Sequence, residues 1–279
     1  MEKNKIYDVV YSVMIHQSID YVNDFISNIE KYDKINNYLI IIHLNNELYK
    51  QKDKIIKNKV IINPNHYNKK RFTVNILNAY LDNFNYLNYI NIKFNNYMTL
   101  VSSCRFVRKC IKFNKQNINV NITTKDYDPN SLKRDWFWPQ FYKNTEIINI
   151  LIKYKIDIHM GGLPEGYLFD KHIFDSINKF IINNKLLEII RCETLFEEIL
   201  LNVLHFYFTG KSPIKYTKKF FNLKHDPNYC DEIGSNQIPT KSHIIDCLKN
   251  NKNILNIKRF PNDLNHILFK QLRNNEFDL

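Results

Sequence analysis

The sequence predicts an α/β protein, a mostly parallel sheet flanked by helices in a single domain spanning residues 1–279. Three observations point there. Over the first hundred residues, apolar runs of strand length alternate with stretches whose apolar residues recur at helical spacing. A chain of 279 residues with 44% hydrophobic and 14% aromatic content can bury a substantial core. Only five glycines and eight prolines interrupt it, with no Gly/Ser linker, internal repeat or tandem boundary.

Residues 9–15 read as the first strand. Residues 19–29 carry Ile19, Val22, Phe25, Ile26 and Ile29 on one helical stripe. The run YLIIIHL at 38–44 is nearly continuous and apolar, as expected of a strand covered on both faces. A short lysine-rich helix follows, then a strand KVIIN at 59–63, stopped by Pro64. Residues 72–84 read as a helix, and YMTLV at 97–101 as a further strand. Strand–helix–strand order implies a parallel sheet, and ligands of such sheets bind beyond the carboxyl ends of the strands. That rule selects His16 and Gln17, Asn45 to Glu47, Asn63 to His66, and Ser102 to Cys104 as one rim. The fingerprint GxGxxG and the P-loop are both missing, which disfavours a nicotinamide dehydrogenase or a P-loop kinase.

The second half is less regular. RDWFWPQFY at 134–142 holds both tryptophans, a cluster suited to covering a pyranose ring or to an ordinary core. Residues 156–159 read as a strand leading into GGLPEGY at 161–167, where three of the five glycines fall. Glycine permits close backbone approach, so this is either an active-site floor or a tight turn. Residues 171–190 read as one long amphipathic helix. Residues 193–208 read as another, with Leu195, Ile199, Val203 and Phe206 sharing a face and Glu198 and Asn202 turned away from it. Glu193, Glu197 and Glu198 suit the positive end of a helix dipole.

The net charge of +12 favours an anionic partner: nucleic acid, a membrane surface or a phosphate-bearing substrate. The charge is spread along the chain without a block of five or six like charges, which argues against a nucleic-acid tail. The N-terminus reads as a strand and not as a signal peptide, and no stretch approaches the roughly 20 apolar residues of a membrane span. Cys104, Cys110, Cys192, Cys230 and Cys247 lack CxxC spacing, so neither a zinc site nor a disulfide framework is expected. A reducing compartment is expected from the cysteines, and from the lack of a membrane anchor a cytoplasmic location. Asp126-Tyr127-Asp128 has DxD form, either a metal pair or an Asx-turn before Pro129.

Five stretches resemble the core-2/I-branching β-1,6-N-acetylglucosaminyltransferases and peptide O-xylosyltransferases, with their shorter bacterial and viral relatives. They are YLIIIHLNNE at 38–47, INPNHYNKKRFTVNILNAYL at 62–81, YMTLVSSCRFVRK at 97–109, EGYLFDKHIF with ETLFEEILLNVL at 165–174 and 193–204, and IKRFPNDLNHILFKQLRN at 257–274. The resemblance implies a GT-A-like, Rossmann-like fold and inverting chemistry without a metal-binding DxD. It divides the chain into a nucleotide-sugar half at 1–110 and an acceptor and catalytic half at 111–279. His43 matches the family's strand end, while Asn45 stands where an Asp contacts the uracil side of the donor. Glu198 falls at the catalytic base and Glu197 at the preceding acidic position. Lys258 or Arg259, and Lys270 or Arg273, fall where an Arg and a Lys hold the diphosphate.

The expected activity is transfer of GlcNAc or xylose from a UDP-sugar to a glycan, glycoprotein or other hydroxyl acceptor. No divalent metal or other cofactor, nucleic-acid partner or integral membrane segment is expected. Donor contacts are expected from His16, His43, Asn45, Ser102, Ser103 and the four basic positions. Acceptor contacts are expected from Trp136, Trp138, Glu165, Gly166 and Glu197. Two alternatives remain open: a metal-dependent transferase using Asp126 and Asp128, and a basic nucleic-acid or glycan-binding module with Trp136 and Trp138 as a stacking platform.

Overall fold

The computed structural model describes residues 5–56, 58–66, 75–113, 141, 143–157, 164–190, 196–218, 238–258 and 260–277. Strand β1 (Ile6–Ile15) leads into helix α1 (Ile19–Tyr32). The Ser18 hydroxyl caps α1 by accepting from the Tyr21 N–H at 3.1 Å, which satisfies one of the donors a helix start leaves open. β2 (Tyr38–Leu44) is buried along its whole length. It is followed by the single turn α2 (Asn46–Tyr49) and a short 3-10 turn at Lys52–Lys54. β3 (Val60–Ile62), α3 (Asn75–Tyr89) and β4 (Lys93–Val101) complete the alternating part.

Beyond it come β5 (Arg105–Phe106), α4 (Thr145–Lys153), β6 (Tyr167–Asp170), α5 (Lys171–Asn183), the turn α6 (Leu186–Ile189) and α7 (Glu197–Thr209). β7 (Ile214–Lys215), β8 (Thr217–Lys218), α8 (Lys241–Asn250), β9 (Asn256–Ile257) and α9 (Ile267–Arg273) follow.

The main sheet has the order β3-β2-β1-β4-β6-β7. β3, β2, β1 and β4 run parallel, whereas β6 pairs antiparallel with β4, and β7 antiparallel with β6. The expected α/β class with a mostly parallel, helix-flanked sheet is therefore observed. Chain order reverses at β1, with β2 on one side and β4 on the other, and sheets of this kind bind ligands beyond the carboxyl ends of the strands at such a switch point. Because β6 is antiparallel to β4, the residues leading into β6 sit at that same end. A smaller sheet, β5-β9-β8, lies beside it.

Alternate residues of the strands feed two separate cores. Val9, Tyr11, Val13 and Ile15 with Tyr38, Ile40 and Ile42 pack on α1, α8 and α9. Val10, Leu39, Ile41 and Tyr97 pack on α3, α4, α5 and α7.

Several expectations from sequence are corrected. The helix expected at 171–190 breaks into α5 and α6 at Lys185, which adopts the left-handed φ of 52°. Ile156 and Asp157 form no strand: the Ile156 N–H donates to the Leu151 carbonyl at 2.9 Å and closes α4, and residues 158–159 lie outside the described residues. Tyr167, read as part of a loop, opens β6. Glu198 and Asn202 are buried, because α7 is covered on all sides through its first nine residues.

Among the described residues no helix is long and apolar enough to cross a membrane. Cys104, Cys110 and Cys247 are buried and outside any disulfide, and Cys192 and Cys230 lie outside the described residues.

Candidate functional site

The loop before β6 is pinned to the end of β4. The Gly166 N–H donates to the Thr99 carbonyl at 2.5 Å, and the Thr99 hydroxyl donates to the Pro164 carbonyl. Gly166 adopts φ +80°, and a Cβ there would lie 1.7 Å from Thr217 Oγ1, so only glycine fits. The Tyr216 N–H donates to the Gly166 carbonyl at 2.8 Å, and the Thr217 hydroxyl bonds the Asn256 side chain. These contacts bring the end of β9 against the loop, and Lys258, two residues past Asn256, forms an ion pair with Glu165. Side-chain exposure is 16% for Lys258 and 5% for Glu165.

The first turn of α7 brings Glu197 and Glu198 to the same place, both buried. Burial pushes the Glu197 carboxyl well above the ordinary carboxylate range, and the Glu198 charge pushes it further. Its own backbone N–H opposes the shift, Glu165 adds to it and Lys258 opposes it. Glu197 Oε2 is buried and accepts no hydrogen bond. Glu165 and Lys258 also act on the Cys104 thiol: burial and then Glu165 push it up, Val101, Lys258 and Arg105 oppose them, and it stands at about 12. The Glu165–Lys258 pair therefore lies within electrostatic reach of both Glu197 and Cys104, near the carboxyl end of β4, and Glu198 adjoins Glu197 on α7. Glu165, Glu197, Glu198 and Lys258 come from three segments widely separated in the chain.

A second polar group spans the switch point. Gln17 Nε2 donates to Ser102 Oγ at 2.7 Å and to Asn262 Oδ1 at 3.3 Å, which ties β1 to β4 and to the C-terminal segment. Asn45 Nδ2 donates to the His16 carbonyl at 3.3 Å, while Asn45 Oδ1 caps α2 by accepting from the Leu48 N–H at 2.9 Å. His16 is exposed. Ser103 is half-buried, and its carbonyl accepts from the Phe260 N–H at 3.0 Å.

The remaining candidates are placed differently. His43 is 1% exposed and lies against α3. Burial lowers its pKa to about 4, with Asp82 and Asn83 acting upward and His66 downward, so the ring is neutral at pH 7. Near it runs a buried amide relay in which Asn63 donates to Asn83 at 2.8 Å and Asn83 to Ser12 at 3.0 Å.

Lys270 and Arg273 are exposed on α9, in the layer on the opposite face of the sheet from α7. Arg273 is engaged there with Asp24 at 3.1 Å. Arg259, Trp136, Trp138, Asp126 and Asp128 lie outside the described residues.

Arg105 was not singled out by sequence reasoning, yet it organises the rim. It is fully buried, pairs with Asp24 at 3.1 Å, and donates to the carbonyls of Ser102 at 2.7 Å and Cys104 at 2.8 Å. Its guanidinium lies 4.4 Å from the Tyr21 ring centroid and 5.1 Å from that of Phe269. The available signal was an arginine set inside the apolar run CRFV.

No model of a known protein family matches this sequence, and no curated protein does. Among the described residues, no three His, Cys, Asp or Glu side chains gather as a metal site. The arrangement can do two things chemically: hold a proton on a buried carboxyl, and present a lysine beside it.

Proposed function

We propose that the chain is an inverting glycosyltransferase with a GT-A-like fold, moving a sugar, GlcNAc or xylose, from a UDP-sugar to a hydroxyl acceptor without a metal ion. One observation carries the reading: near the carboxyl end of β4 the buried Glu165 is paired with Lys258, and both lie within electrostatic reach of the buried Glu197, with Glu198 next to it on α7. Inverting transfer needs a base for the acceptor hydroxyl and positive charge for the departing diphosphate. Within the group, Glu165 is paired with Lys258, and Glu197 is pushed toward its protonated form. Glu198, in the first turn of α7 beside Glu197, stands where the resemblance puts the catalytic carboxylate and is the base in this reading.

Glu198→Gln is expected to lower transfer by roughly 10²–10⁴ while leaving the circular dichroism spectrum and UDP binding intact. A variant retaining near wild-type turnover would rule out Glu198 as the base. Thermal shift and hydrolysis against UDP-, GDP- and CMP-sugars, with and without EDTA, identify the donor. Stabilisation by a UDP-sugar that survives EDTA is the expected result.

A further inference from the structure

Lys258 already holds a counter-ion. The backbone on either side of Glu165 is pinned by the Gly166 and Pro164 contacts to Thr99, and its side chain is the more buried of the pair. Lys258 follows β9, which is paired to β5 on one side and β8 on the other, and its side chain keeps three times the exposure of its partner's. Lys258 is thus the more exposed member of the pair. The lysine stem has four rotatable bonds and a compact charge that can change partners with little backbone movement. A diphosphate offers that ammonium more negative charge and more acceptor oxygens than one carboxylate does. Glu197 stands within electrostatic reach of the pair. An approaching anion is thus opposed by carboxyl groups and attracted by a cation already in use.

We propose that Glu165 is an internal counter-anion which a diphosphate must displace from Lys258, so that Glu165 sets the affinity of the site for phosphate-bearing ligands. The proposal rests on the glycosyl-transfer reading only for the identity of the ligand as a nucleoside diphosphate. Exchange at Lys258 also releases the Glu165 carboxylate beside Glu197 and Glu198. Diphosphate binding and the acidity of the neighbouring carboxyls are then coupled through one lysine.

The test is calorimetric titration of the full chain with inorganic pyrophosphate and, separately, with UDP. The proteins are wild type, Glu165→Gln, Lys258→Met and the double variant. Glu165→Gln is expected to tighten pyrophosphate binding roughly tenfold, about 1.4 kcal/mol. Lys258→Met is expected to abolish that gain, leaving the double variant no better than Lys258→Met alone. Unchanged or weaker binding in Glu165→Gln overturns the proposal, as does a gain that persists without Lys258.

Should Glu165→Gln fail to fold, the wild type decides by itself. The ¹³C-methyl signal of reductively methylated Lys258, assigned with Lys258→Arg, must move when pyrophosphate is added, and a static signal overturns the exchange. If pyrophosphate behaves as expected but UDP binds no tighter, the exchange stands and the nucleotide-sugar reading falls. If UDP binds the wild type tightly and Glu165→Gln changes nothing, the reading stands and the exchange falls.

Discussion

Glu197 and His43 are both buried titratable groups, and burial moves their pKa values in opposite directions. The folded state holds the Glu197 proton more tightly than the unfolded chain does. Its contribution to stability is therefore present below the unfolded value of 4.5 and is lost as pH rises above it. Glu197→Gln carries the neutral form at every pH, so the variant should gain melting temperature relative to wild type between pH 5 and pH 8. A gap that stays constant across thermal melts in that window would contradict a raised pKa. His43 has the reverse sign, since the unfolded chain binds its proton more readily. Stability falls as pH drops from 6.5 towards about 4, and His43→Asn should reduce that loss in the same melts. Gly166 makes a sharper demand, because a side chain there meets both a left-handed φ and the Thr217 hydroxyl. Gly166→Ala should cost about 2–4 kcal/mol in urea denaturation. Adding Thr217→Ala should recover the steric share and leave the backbone strain.

At the scale of elements, legibility in the sequence tracked length and apolar continuity. β2 was readable at its observed bounds because seven consecutive residues are buried and the run contains one polar side chain, His43. The helix after β1 was readable from its stripe, though it runs on to Tyr32. β5, β7, β8 and β9 are two residues each, too short to show a period, and are fixed by pairing with distant segments. The break at Lys185 was hidden because a lysine carries no stop signal, and the chain adopts left-handed geometry there to let α6 pack under α5. For the site, the acidic residues beside the glycine-rich loop and at the start of α7 were legible as chemistry. The pairing of Lys258 with Glu165 was not, because 93 residues separate them and the small sheet alone brings them together.

Arg105 belongs to the same class. The β4–β5 turn is folded around its guanidinium, which joins that turn to α1 through Asp24. Arg105→Lys keeps the charge but cannot reach the two carbonyls and the carboxylate together. It should cost about 3–5 kcal/mol, the range for breaking a buried pair. Arg273→Ala, at an exposed partner of the same Asp24, should cost about 0–1 kcal/mol. Chemical denaturation of the two variants checks the contrast.

Among the described residues the six-stranded sheet has a core on each side, and the rim groups draw on both. Lys258 comes from the segment that follows Ile257, on the α1, α8 and α9 side, whereas Glu197 and Glu198 begin the helix on the other. A site assembled this way holds its geometry only while both layers stay docked on the sheet, so the two cores should unfold as one unit. Ile26 on α1 and Leu200 on α7 are fully buried on opposite faces. Each truncation to alanine should destabilise by about 2–5 kcal/mol through lost burial and the cavity left behind. Residues separated by a sheet share no partners, so their effects should add. The expected observation is a single transition, with coincident far- and near-ultraviolet circular dichroism, in wild type, both single variants and the double. Ile26→Ala splitting off an early transition while the Leu200 side melts at the wild-type temperature would show two independent units. The group of Glu165, Glu197, Glu198 and Lys258 would then have to form across a boundary that opens on its own.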